Sequence, residues 1–100
     1  MSPTERTLKW LRKEGWNVWK VEHWNHFARR RQDLWGFVDV LGLKAGVTLA
    51  VQCTSASNVS SRIRKIADHE NTPYLREANW KIWVVGWTKG KHEPRVVDVS

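Results

Sequence analysis

The chain has 100 residues, enough for one domain but too few for a thick core. Lys and Arg number 17 against 10 Asp and Glu, and the net charge of +7 favours a polyanionic partner such as nucleic acid. A single cysteine, Cys53, excludes an intramolecular disulfide, and no run of about 18 apolar residues is present to form a membrane-spanning helix.

The polar N-terminus has no signal-peptide pattern, so an intracellular protein is expected, of a cell or of a virus infecting it. The eight Trp residues are expected to be mostly core, with a remainder available for an interface.

Ser2-Pro-Thr-Glu5 opens a helix. Ser2 suits the N-cap, Pro3 the first helical position, and Glu5 the capping-box carboxylate. Thr7, Leu8, Leu11 and Trp10 supply an apolar stripe, and Gly15 terminates the helix. Asn17 to Trp24 alternates and predicts a strand, with neither face cleanly apolar, which fits an outer position. Asn25 to Gln32 is a predicted loop containing Arg29-Arg30-Arg31, a run suited to phosphate contact or to plain solvation.

Asp33 to Leu43 and Val47 to Thr54 then read as two apolar strands joined by a turn at Lys44-Ala45-Gly46. Asp39 lies late in the first strand, while Gln52 and Thr54 share one face late in the second. A carboxylate in an apolar strand costs several kcal/mol, roughly, if it has no partner. Asp39 therefore calls for a metal, a cation or a set of donors.

Ser55 to Asn58 is a turn and cap cluster. Val59, Ile63 and Ile66 fall at helical spacing, decorated by Arg62, Arg64 and Lys65. Asn71-Thr-Pro73 breaks this helix, a short one follows to Ala78, and Trp80 to Trp87 is a well-covered strand. Arg95 to Val99 is a last, edge strand. The order is helix, three strands, helix, strand, strand. The helix after the third strand is long enough for a crossover to a parallel neighbour. The expected fold is α/β, a single small domain over residues 1–100 with a mixed central sheet flanked by helices.

That order, with Gly36-Phe-Val-Asp39 on one strand and Val51-Gln-Cys-Thr54 on the next, resembles the PD-(D/E)XK nuclease superfamily. It is similar especially to the small Holliday-junction-resolvase-like members from phages and archaea. The first segment parallels the family's Gly/Pro-Phe-x-Asp; the second sits where (Asp/Glu)-x-Lys belongs. The resemblance implies a restriction-endonuclease-like fold and a Mg²⁺- or Mn²⁺-dependent endonuclease acting on DNA, with branched or junction DNA as a possible substrate. It also implies a homodimer. Asp39 would be a metal ligand, with Gln52 and Glu22 beside it, and Glu5 matches a carboxylate often present on the first helix.

Two positions depart from the pattern. Gln52 replaces the second acidic ligand, and Thr54 replaces the lysine that steadies the charged phosphate. Gln52 can offer a neutral amide oxygen to a hard cation. Lys65 or Arg62 would supply the missing positive charge, and Glu5, Glu22 or Asp33 the missing carboxylate. Arg29, Arg30, Arg31, Arg62 and Arg64 are the expected nucleic-acid contacts. The alternative is a non-catalytic nucleic-acid-binding protein that keeps the fold and has lost the chemistry. A zinc site from His23, His26 and Cys53 is not favoured, because there is no second cysteine.

Overall fold

A computed structural model describes all residues, 1–100. Helix α1 spans Pro3–Lys13, and the Ser2 hydroxyl accepts the Glu5 N–H at 3.2 Å. It ends through Glu14 into Gly15, whose φ of 92° suits glycine. Thr4, Thr7 and Leu11 form its buried stripe.

Strand β1 is Asn17–Lys20, shorter than its alternation suggests. The chain leaves the sheet at Val21, and His23–Asn25 (β2) pairs instead with Arg30–Gln32 (β3) in a separate two-stranded hairpin. The segment predicted as a loop from Asn25 to Gln32 is therefore half strand. Its turn is held by the Asn25 side chain, which accepts the N–H groups of Phe27 and Ala28.

The strand expected from Asp33 begins only at Val40. Strand β4 is Val40–Lys44, and β5 is Val47–Ser55. Between Asp33 and Asp39 the chain doubles back through a small loop closed by the Leu34–Val38 bridge. The Ala45-Gly46 turn between β4 and β5 has φ of 49° and 79°, the both-positive pattern of a tight hairpin turn.

After a 3-10 turn at Ala56–Asn58 come α2 (Val59–Asp68) and α3 (Thr72–Glu77). They carry the chain across to β6 (Lys81–Trp87), which lies parallel to β5; β7 (Arg95–Asp98) returns antiparallel at the edge. The five-stranded mixed sheet has the order β1-β4-β5-β6-β7. One face buries Val40, Val51, Val85 and Trp87 against Leu11 of α1. The other buries Phe37, Ala50, Ile66, Leu75 and Val84 against α2 and α3. No helix is long and apolar enough to cross a membrane.

Most tryptophans serve the core as expected: Trp87 is buried, and Trp10, Trp16, Trp83 and Trp80 pack half-buried against the core, whereas Trp19, Trp24 and Trp35 stand 76%, 51% and 50% exposed. Trp87 does not offer a free stacking face. Its indole N–H donates to Thr7 Oγ1 at 2.9 Å, and the Arg6 guanidinium lies 4.4 Å from its ring centroid.

Candidate metal centre

Three carboxylates far apart in the chain meet at one point. Ligand atoms of Glu22, Asp33 and Asp39 all lie within 4.8 Å of one another. The backbone explains why. Asp39 N–H donates to Val51 O on β5, and Val21 N–H donates to Asp39 O, both at 2.9 Å. These bonds hold the residue before β4 between β5 and the end of β1, so Glu22, next along from Val21, arrives beside it. The Leu34–Val38 bridge closes the loop whose two flanks are Asp33 and Asp39, which brings those two together.

Asp39 is the floor of the group, at 3% exposure. Its Oδ2 accepts two bonds, from Gln52 Nε2 at 2.7 Å and from Cys53 N–H at 2.8 Å. Burial pushes the Asp39 carboxyl up to about 8, the Cys53 N–H opposes this, and the Asp33 charge and the hydrogen bond and charge of Glu22 push it further up. Burial, with the charge of Asp39, also raises the Cys53 thiol, which is therefore an inert core group.

Glu22 and Asp33 line an open cleft of about 950 Å³ with Lys65, Arg30, Arg31, Lys20 and His23 on its walls. Glu22 Oε1 accepts from Arg31 Nη1 at 2.9 Å, and the carboxylate side of this ion pair is only 9% exposed. Lys65 projects from α2 into the same cleft but forms no ion pair with the carboxylates.

The predicted site residues divide accordingly. Asp39, Glu22, Asp33, Lys65, Arg30 and Arg31 come together. Gln52 joins through its amide nitrogen, which donates to Asp39, while its amide oxygen is buried and unpartnered. In this orientation it is a donor to Asp39, not the oxygen ligand expected from the sequence. Thr54 is buried and outside the cleft. Glu5 is exposed in the first turn of α1, belongs neither to the cleft nor to the carboxylate group, and joins the N-cap only through its N–H, which donates to Ser2 Oγ. Arg29 occupies the hairpin turn with a φ of 53°. Arg62 and Arg64 lie on α2 away from the cleft walls, with Arg62 Nε buried and unpaired. His23, His26 and Cys53 form no metal-ligating group.

Among the cleft residues outside the sequence-predicted set are Lys20 and Trp35. Trp35 lies on the rim, half exposed, with a φ of 56°. Its only signal in the sequence is the glycine that follows it, which is weak, since Gly42 and Gly86 lie inside strands. The following Gly36, at φ 89°, is required by its neighbour: a Cβ there would overlap His69 Nε2 and lie 2.8 Å from His69 Cε1.

The carboxylates suit a hard divalent cation. Three acidic groups this close repel unless a proton or a cation intervenes, and oxygen-only ligation is what Mg²⁺ and Mn²⁺ accept. The orphaned Gln52 oxygen adds a buried acceptor in the same neighbourhood. Compared with protein-family models, curated proteins and solved structures, the chain matches none.

Proposed function

We propose that this protein is a metal-dependent endonuclease of the restriction-endonuclease-like kind, acting on DNA by phosphodiester hydrolysis. The observation that carries the reading is the convergence of Glu22, Asp33 and Asp39, the first two lining a cleft walled by Lys65, Arg30 and Arg31 and the third buried beside them. Acidic ligands flanked by cations are what a phosphodiester needs: the cations bind its charge, and the acids hold its metal. When bound, Mg²⁺ or Mn²⁺ would neutralise charge on the phosphate and favour a hydrolytic water.

The chain's own groups have separable tasks. Asp39, Glu22 and Asp33 would hold the cation. Gln52 and the Cys53 N–H orient Asp39 through its Oδ2. Lys65 stands in for the missing lysine of the family pattern, presenting its ammonium from α2 rather than from β5. Arg30 and Arg31 hold the DNA backbone, and Arg31 also fixes the Glu22 carboxylate. Two copies acting as a homodimer would present two such clefts, as a branched duplex requires.

A second reading is favoured by the burial of Asp39. Burial and the neighbouring Asp33 and Glu22 keep its proton on, against the Cys53 N–H, and a neutral Asp39 needs no metal. On that reading the protein binds DNA through its basic groups and does not cut it.

Incubation with duplex, nicked and branched DNA plus Mg²⁺ or Mn²⁺ separates the two. Cleavage that disappears in Asp39→Asn while binding persists supports the nuclease. Binding without cleavage of any substrate leaves the second reading.

A further inference from the structure

Trp35 belongs to two cavities at once. On one side it lines the carboxylate cleft with Asp33 and Lys65. On the other it lines a groove of about 370 Å³ with Asn71, Tyr74, Leu75, Ala78 and Trp80. That groove is apolar apart from Asn71, and Tyr74 at its edge is 69% exposed.

The turn carrying Trp35 is unusual for the residue it holds. Phe37 N–H donates to Leu34 O at 3.3 Å, and the two residues between them have φ of 56° and 89°. A turn with both central residues at positive φ favours Asn-Gly, because a bulky side chain is strained at the first position. Here the glycine is present and the asparagine is replaced by tryptophan. The strain is not offset by burial, since half of Trp35 remains exposed. The position is nevertheless fixed: Asn71 Nδ2 donates to Trp35 O at 3.0 Å, and His69 packs beneath Gly36 and against Phe37, ring centroids 5.1 Å apart. A strained, braced and half-exposed aromatic at the rim of a site points to contact with a ligand.

The ligand class follows from what borders Trp35. One neighbour is a cleft with cations and carboxylates suited to a phosphodiester; the other is an aromatic, apolar slot. A nucleotide has that pairing of groups, an anionic phosphate one step from a flat apolar base. A paired base is already stacked in its duplex and cannot enter the slot. We infer that Trp35, with Tyr74 and Trp80, forms a stacking subsite for one unpaired base adjoining the phosphate held in the cleft. This rests on the nuclease reading for the position of the phosphate. It narrows the substrate to DNA with an unpaired nucleotide beside the contacted phosphate, such as a flap, a gapped junction or a single strand.

The test is binding in EDTA, where no cleavage occurs. A labelled single strand, the same strand in a blunt duplex, and a single strand carrying 2-aminopurine are titrated with the full chain. Stacking predicts quenching of 2-aminopurine by the wild type and tighter binding of the single strand than of the duplex. Trp35→Asn installs the residue that the turn favours, so its melting temperature should not fall. Its affinity for the single strand should fall about 10- to 100-fold and for the duplex by less than about threefold. Trp35→Phe should keep most of the single-strand affinity. Absence of quenching, equal losses on both substrates, full affinity in Trp35→Asn, or no binding of any nucleic acid overturns the inference. Cleavage in Mn²⁺ is read separately: cutting without quenching sinks the stacking subsite alone, and quenching without cutting sinks the nuclease alone.

Discussion

Asp39→Asn should stabilise the metal-free protein by an amount that grows from about pH 4 to about pH 8 and is level above that. The folded carboxyl titrates at about 8 because it is buried and sits beside Asp33 and Glu22; its ordinary value is 3.8. Between those values the folded state keeps a proton that the unfolded chain has released. Stability is therefore fully present below the unfolded value and is lost as pH rises through the folded one. The slope is about 1.4 kcal/mol per pH unit at most. Integrated over that window the limit is on the order of 5 kcal/mol, and relaxation of the site around the buried charge reduces it to roughly 2–4 kcal/mol. Asparagine keeps an acceptor for Gln52 Nε2 and the Cys53 N–H, and removes the charge. Thermal and urea denaturation in EDTA would compare the two proteins at pH 4.5, 7 and 9. Near-coincidence at pH 4.5 and a gain of at least about 10 °C for the variant at pH 9 is the expected result. Parallel curves across the whole range would refute the placement of Asp39 as a destabilised carboxylate.

Lys65→Ala should lower cleavage about 100-fold and flatten the salt dependence of DNA binding by about one ion, with an unchanged circular dichroism spectrum. Glu5→Gln should leave cleavage within about twofold and stability within about 0.5 kcal/mol, because Glu5 lies outside the cleft; a large loss of cleavage would return it to the site. Gly86→Ala should destabilise by about 1–3 kcal/mol, read in urea denaturation, since its Cβ would overlap Val59 Cγ2 and lie 3.0 Å from Ala56 Cα.

Local rules carry α1, β5 and β6. Ser2, Pro3 and Gly15 mark the ends of α1 by capping chemistry, and the Val-rich runs of β5 and β6 read as covered strands. The parallel pairing of those two strands follows from the length of the crossover between them. What local rules miss is where a strand is cut short by tertiary pairing. Asn17 to Trp24 alternates, yet the pairing with the central sheet ends at the Val21 N–H to Asp39 O bond, and His23 to Asn25 pairs instead with Arg30 to Gln32. Asp33 to Val38 reads as apolar strand, yet Gly36 at positive φ folds it into a loop that covers Phe37 and Val38.

The site follows the same division. Asp39 announces itself as an acid in an apolar run. Glu22 and Asp33 are legible only as candidates, because their convergence depends on those two departures from the sheet. Glu5 fits the capping position and the family position equally well in sequence, and only its place away from the cleft and the carboxylate group separates them. Trp35 is invisible to periodicity, since its meaning lies in a backbone angle.

The central claim is that Glu22, Asp33 and Asp39 together hold a divalent cation. Calorimetric titration of the protein with Mn²⁺ at pH 8 tests it most directly. The wild type should show one saturable site, with protons released on binding because Asp39 titrates at about 8. Asp39→Asn, still folded, should lose that site. No saturable binding by the wild type, or equal binding by the variant, would contradict the claim.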